Sequence, residues 1–160
     1  MQINFDVPDS KRFQRAANAA PEIVFKNHRL AMKESVRQVR DLARVRHRFR
    51  TRTGNLVKAI TSEVKLGGTE IIEGRDYLDE DRAYYGKWVH DGTKPHIIRP
   101  RNKKVLRWAT GRGKWAYAKW ANHPGTKPDQ FLYEAGRLSQ DNINEIFAQY
   151  TNRAIKEAGF

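Results

Sequence analysis

The chain has 160 residues, of which 31 are lysine or arginine and 18 are aspartate or glutamate, so its formal net charge is +13. This length favours one domain with a single core, and a hydrophobic content of 39% is too high for a disordered tail. The absence of cysteine excludes a disulfide scaffold, a thiol nucleophile and a cysteine-ligated metal. We expect neither a secretory signal nor a membrane span. The charge indicates an acidic partner: nucleic acid, a membrane surface or an acidic protein face.

Two helices and a basic arm are predicted in the first third of the chain. Asp9 or Ser10 can cap a short helix over residues 9–20, which Pro21 would end. Apolar residues then recur with a 3.6-residue period, which predicts a long helix over residues 21–45. From residue 44 every second residue is arginine, so we predict an extended basic arm over residues 44–53 with all five on one face. These five are Arg44, Arg46, Arg48, Arg50 and Arg52.

Short strands are predicted between residues 61 and 121. Gly67 and Gly68 separate strand-like runs at residues 61–66 and 69–73 and indicate a hairpin. An acidic loop at residues 76–81 and a short aromatic helix at residues 83–91 follow. Strands at residues 96–98 and 105–108 are expected to form a pair joined by a basic loop, with another strand at residues 115–120.

A long C-terminal helix is predicted over residues 129–157, with Asp129 as its cap. Strands grouped between helices favour an α+β fold: long N-terminal and C-terminal helices packed on a small, mostly antiparallel β-sheet. We predict one domain over residues 1–160.

The sequence lacks recognisable motifs for catalysis or for binding a metal or cofactor. Its histidines form no HExxH or HxH pattern, so we interpret them as surface or packing residues. We therefore predict no enzyme activity, no metal and no cofactor. A rival interpretation, a nuclease or toxin-like enzyme, would need a catalytic base from among His90, His96 and His123.

Two basic stripes are candidate binding surfaces. The first is the predicted arm, and the second comprises Arg99, Arg101, Lys103, Lys104 and Arg107. Aromatic residues follow the second stripe, and such rings beside cations can stack bases while the cations neutralise phosphates. However, the alternation over residues 115–120 favours one buried sheet face, so we interpret Trp108, Trp115, Tyr117 and Trp120 as core residues. For the arginines of the arm, a nucleic acid, an acidic subunit and solvent are all open as partners.

Four local patterns follow one another in the chain: TGNLVKAI at residues 53–60, AYYGKWVHDGT at 83–93, HIIRP with KKVLRW at 96–108, and HPGTKPDQFLYEA at 123–135. Together they resemble the tailed-phage neck, minor-tail and head–tail connector family typified by gene product ten of phage HK-ninety-seven. The resemblance covers roughly residues 21–135, and Gly86 stands where that family often has a bulkier residue. We interpret the motif residues as determinants of the fold, not of catalysis. Tyr84, Tyr85 and Val89 are expected to fill one side of a short helix against the sheet, and Phe131 and Leu132 are expected to anchor the last helix to the core. They are Gly54, Leu56, Tyr84, Tyr85, Val89, Gly92, Thr93, His123, Pro124, Gly125, Thr126, Phe131 and Leu132.

The resemblance implies a structural virion protein, made in the host cytoplasm, that acts as a neck or tail-completion component at the head–tail joint. We expect its copies to form a ring around the DNA channel, six-fold because the tail side of the joint is six-fold in such phages. Expected partners are connector or head-closure proteins, the tail tube or tail terminator, and channel DNA through non-specific contact, but no membrane. The arm and the strand loops are the predicted interfaces. The alternative is a stand-alone basic nucleic-acid-binding protein without sequence specificity.

Overall fold

In the described residues, long helices precede and follow three small antiparallel sheets along the chain. The computed structural model describes residues 10–67, 71–111 and 113–160, with side chains from Arg15 onward in the first helix. The elements follow in the order α1 (Ser10–Val45), α2 (Asn55–Ala59), β1 (Ile60–Gly67), β2 (Ile71–Leu78), α3 (Gly86–Asp91), β3 (His96–Ile98), β4 (Leu106–Gly111), β5 (Lys114–Ala118), β6 (Ala121–His123), α4 (Phe131–Leu138) and α5 (Gln140–Ala158). The predicted α+β class is confirmed.

Helix α1 is continuous over 36 residues, a length of about 54 Å at 1.5 Å per residue. The predicted division into two helices at Pro21 is therefore wrong. Proline removes one backbone donor, but the residues before it are rich in alanine, the strongest helix former. In addition, α5 supports this part of α1, since Gly159 lies beside Ala16. Asp9, the other predicted cap, lies outside the described residues.

Helix α5 runs antiparallel along α1, and polar contacts join the two helices near both ends of α5. Near its start, the Asn142 side-chain amide donates to Oε1 of Gln38. Near its end, the buried Asn27 amide donates to Oε2 of Glu157 at 2.9 Å. The two pairs are separated along both helices, so they fix the register between the chain's first and last elements.

The core lies where α1, β1 and α4 meet. Its buried residues are Val39, Ala43, Ile60, Phe131 and Ala135. A second buried cluster is formed by Leu56, Ala59 and Ala83. Phe49 and Leu78 pack against both clusters and join them. Phe131 has no exposed surface, which confirms its predicted role as an anchor of the C-terminal helices, and Leu132 is half-buried against the same cluster.

Each described sheet consists of two antiparallel strands. The predicted hairpin is confirmed as β1 paired with β2, although its turn at residues 68–70 lies outside the described residues. Strand β2 continues through Leu78, so the predicted start of the acidic loop at Asp76 is wrong. The expected pairing of residues 96–98 with 105–108 is also wrong, because β4 folds back on β5 while β3 pairs with β6.

The C-terminal helix predicted over residues 129–157 is interrupted. Helix α4 begins at Phe131, and Ser139 separates it from α5. Ser139 is right-handed but departs from the mean α-helical angles, with φ −90° and ψ −2°. Serine and the nearby Gly136 are also poor helix formers. Two helices at this point allow α4 to contact the core while α5 follows α1.

Candidate interaction surface

The arginine segment, defined here as residues 46–54, connects α1 to α2. It starts two residues later than the predicted arm, because Arg44 still belongs to α1. The Arg44 guanidinium donates to the Ile60 carbonyl oxygen from Nη2 at 2.6 Å and from Nε at 3.1 Å. Arg44 therefore ties α1 to β1, and the prediction that it presents a free basic face is wrong.

One carboxylate holds the arginine segment against the body of the protein. Oδ2 of buried Asp129 accepts hydrogen bonds from the backbone N–H groups of Arg48 and Phe49, at 2.7 and 2.8 Å. The Arg48 guanidinium also pairs with Asp129 and Glu134. Asp129 does not cap α4 as predicted, because its side chain accepts hydrogen bonds from backbone N–H groups about 80 residues earlier in the chain.

The remaining arginines of the segment face solvent. Arg46, Arg50 and Arg52 are exposed, and within the described part of the chain none of them forms an ion pair or side-chain hydrogen bond. His47 and Phe49 alternate with them, are half-buried and stack at 3.8 Å between ring centroids. The predicted two-residue alternation is thus present over residues 46–50, with cations outward and rings inward.

Two of the sequence motifs meet in a threonine clasp, defined here as Thr93 and Thr126 with the preceding Gly92 and Gly125. The Thr93 N–H donates to the Thr126 carbonyl at 2.9 Å, and the Thr126 N–H donates back to the Thr93 carbonyl at 3.1 Å. Both glycines have positive φ, +74° and +88°. A Cβ at Gly125 would lie 2.3 Å from the Thr93 oxygen, and one at Gly92 would lie 2.6 Å from the Thr126 oxygen. Only glycine therefore permits this approach of the two backbones.

Helix α3 connects the clasp to the second buried cluster. Tyr85 and Val89 pack on this cluster as predicted. Tyr84, in contrast, is 71% exposed and precedes the helix, so its predicted burial is wrong. Gly86 is buried, and a Cβ there would lie 2.8 Å from Cδ1 of Leu56. Glycine in place of a bulkier residue thus lets α3 approach the TGNLVKAI motif, in which Gly54 makes the turn at φ +75°.

The histidines have different surroundings. His90 is buried, with its ring edge-to-face on Phe131 at 5.0 Å, which confirms it as a packing residue. His96 and His123 stack across the β3–β6 pair at 4.9 Å. The Gly125 N–H donates to Nδ1 of His123 at 3.1 Å, so this ring supports the turn made by Pro124 and Gly125. Among the described residues, no group of three or more histidines and carboxylates is arranged to hold a metal ion.

The β4–β5 hairpin carries aromatic residues that no other described part of the chain covers. Trp115 is 52% exposed and Tyr117 is 61% exposed, and Trp108 is exposed to a similar degree, as is Trp120 between β5 and β6. The prediction that these four aromatic residues, Trp108, Trp115, Tyr117 and Trp120, form part of the core is therefore wrong. The contacts of β4 and β5 are mostly with each other, so the hairpin extends away from the helices and its rings remain in solvent.

The segment from residue 92 to residue 128, which contains this hairpin, has ten lysines and arginines and no aspartate or glutamate. The predicted second stripe lies here, and its members Arg99, Arg101, Lys103 and Lys104 are all exposed. None of the described cations of this segment forms an ion pair with a described residue. Because the excess charge is concentrated and unpaired, this part of the protein is strongly electropositive.

Sequence reasoning missed both the Asp129 anchor and the clasp. The anchor joins residues about 80 positions apart, and no local pattern records such a contact. The clasp had a signal, the repeated Gly-Thr in DGT and PGT, but spacing alone does not show that two such turns face each other.

No family model, curated protein or solved structure matches this chain. Among the described helices, none combines the length and the apolar character needed to cross a membrane.

Proposed function

We propose that this protein is a structural virion component of a tailed phage, a neck or tail-completion subunit whose copies form a ring at the head–tail joint. The observation that carries the proposal is that every described strand has an open edge, because each pairs with another strand on one side only. Open edges present unpaired backbone N–H and C=O groups, and two-stranded sheets are marginally stable alone. A neighbouring copy would satisfy these edges.

The arrangement of the motif residues agrees with this proposal. The motifs that resemble the phage family meet at the threonine clasp and at the contact between Gly86 and Leu56, where they organise backbone turns and packing. A role in assembly, without catalysis, requires such a scaffold and no reactive group. In a ring, the exposed arginines Arg46, Arg50 and Arg52 would face an acidic surface of the next copy or of a connector protein.

The test is native mass and negative-stain imaging of the purified chain, followed by complementation of a phage that lacks the gene. We expect rings, with a mass near six times that of one chain, and restored infectivity. The variant Arg46→Glu/Arg50→Glu/Arg52→Glu should melt as the wild type does but fail to form rings or rescue the phage. Its control is Arg29→Glu/Lys33→Glu/Arg37→Glu, three exposed cations of α1. A wild-type protein that neither forms rings nor rescues the phage refutes the proposal.

A second candidate function, non-specific nucleic-acid binding by the isolated chain, is favoured by the absence of acidic residues over residues 92–128. Its test is the salt dependence of binding to random-sequence DNA. The logarithm of the binding constant should fall linearly with the logarithm of the salt concentration. The magnitude of the slope should be about 0.9 for each phosphate neutralised on duplex DNA. Tight binding by a persistent monomer favours this candidate over the ring.

A further inference from the structure

The loop before β4 and one face of the β4–β5 hairpin enclose an open cleft of about 640 Å³, within the usual size range of small-ligand sites. Here it is called the hairpin cleft, and its lining includes Arg101, Asn102, Lys103, Leu106, Arg107 and Tyr117. Three of these side chains are cationic, one is a carboxamide and one is an aromatic ring. No acidic residue of the described part of the chain lines it.

Strand register places the main groups on one face of the hairpin. Arg107 lies directly opposite Tyr117, and Ala109 lies opposite Trp115. Residues that are paired across strands, or two apart along one strand, share a face. The Arg107 guanidinium lies over the Trp115 ring, 4.4 Å from its centroid. This face therefore presents two exposed rings and a cation, which lies opposite one ring in the register and over the face of the other.

We propose that the hairpin cleft and the adjoining face of the hairpin bind a single-stranded nucleic acid, with a base stacked on Tyr117 in the cleft or on Trp115 beside it and the adjoining phosphates held by Arg101, Lys103 and Arg107. Cations that track the backbone and aromatic rings that stack bases are the two components of sequence-independent single-strand binding. A duplex satisfies only the first component, because its bases are already stacked on one another. The Asn102 carboxamide can both donate to and accept from a base edge.

Charge favours nucleic acid over a second copy of this chain as the occupant. The approaching surface must neutralise a region with no carboxylate between residues 92 and 128, and a copy of this chain carries a net charge of +13 itself. A nucleic-acid strand supplies one negative charge per nucleotide together with flat bases for the exposed rings. The inference rests on the nucleic-acid-binding candidate and does not depend on ring formation.

The experiment measures anisotropy of a fluorescein-labelled thymidine oligonucleotide of about 12 nucleotides, within the site size of one small binding domain. We expect Tyr117→Ala and Trp115→Ala each to weaken binding by roughly tenfold or more, while Tyr117→Phe binds nearly as the wild type does. The controls are Tyr84→Ala and Trp88→Ala, which remove rings of similar exposure on and beside α3 and should leave affinity unchanged.

The cationic contribution is tested by salt dependence. Arg101→Ala/Lys103→Ala should reduce the magnitude of the log–log slope by about 1.4, since each phosphate contact with a single strand contributes about 0.7. Arg29→Ala/Lys33→Ala removes the same two residue types from exposed positions on α1 and should not change the slope.

Three results would overturn the inference. The first is no saturable binding of the oligonucleotide at low salt. The second is equally tight binding of a duplex, with the affinities of Tyr117→Ala and Trp115→Ala equal to that of the wild type. In that case nucleic-acid binding stands as a function, and the hairpin cleft is not its site. The third is a change of native mass in Tyr117→Ala and Trp115→Ala without a change in oligonucleotide affinity. That result would identify this face as a contact between copies of the chain.

Discussion

Replacing Asp129 with alanine should lower the free energy of unfolding by about 3 kcal/mol, near the lower end of the range expected for losing its two backbone hydrogen bonds. Its carboxylate is 8% exposed and accepts two backbone hydrogen bonds from the arginine segment. Each hydrogen bond to a charged group contributes about 1.5–3 kcal/mol. We take the lower value because the neighbouring Arg48 side chain is 69% exposed, so water can reach the freed amides. Asp129→Asn keeps one oxygen that can accept both N–H groups, as Oδ2 does, but it removes the negative charge. It should lose roughly half as much, because a hydrogen bond between neutral groups contributes about 0.5–1.5 kcal/mol.

The assay is urea unfolding monitored by tryptophan fluorescence, with the unfolding free energy taken from the midpoint and slope. Limited proteolysis should in addition show faster cleavage within the arginine segment of Asp129→Ala. Glu134→Ala is the control, because it removes only the exposed ion pair with Arg48 and should cost less than about 1 kcal/mol. If Asp129→Ala unfolds within about 0.5 kcal/mol of the wild type, the claim that this carboxylate anchors the segment is refuted.

Three further changes test the core, a half-buried carboxyl group and the clasp. Phe131→Ala should cost about 3–5 kcal/mol in urea unfolding, whereas Tyr133→Ala, which truncates a mainly exposed ring, should cost much less; equal losses would contradict the assignment of the core. Burial raises the pKa of Asp76 to about 6, so its contribution to stability is fully present below its unfolded pKa near 3.8 and is lost as the pH rises through 6. Asp76→Asn should therefore gain about 1 kcal/mol over the wild type at pH 7 but not at pH 4, after allowance for solvent screening of this half-buried group; a pH-independent difference would count against the shift. Gly125→Ala should lose about 2 kcal/mol or more, from its positive φ and its approach to the Thr93 oxygen, while Gly136→Ala, with open space around it, should be neutral or stabilising by thermal melting; similar melting temperatures would refute the clasp.

The parts of the fold that the sequence predicted depend on contacts close in the chain. The 3.6-residue period of α1 and the hairpin of β1 with β2 are of this kind. Pro21 was misjudged because a proline rule acts locally, whereas α5 supports α1 from the other end of the chain. Ser139 was missed for the opposite reason, since the apolar period runs on through the interruption between α4 and α5.

In the candidate site, too, local patterns predicted which residues share a face, whereas contacts between distant parts of the chain were not predicted. Alternation correctly placed Trp115 and Tyr117 on one face, but a period records only which residues share a face and not whether another element covers it. Their exposure depends on where the β4–β5 hairpin lies relative to the helices. The arginine alternation predicted which side chains of the segment face outward, while the fixed position of Arg48 depends on Asp129, about 80 residues away.

The threonine clasp has a consequence for how this chain can diversify. Residues 94–125 leave and re-enter the body of the protein at two backbones that are joined by hydrogen bonds of 2.9 and 3.1 Å. The hydrogen bonds that hold the two ends together join Thr93 to Thr126 and involve none of the residues between them. The intervening segment is therefore attached to the body of the protein at one fixed place. Its length, charge and aromatic content can change while the helical body keeps its packing. A change within residues 94–125 is therefore expected to leave the packing of the helices intact.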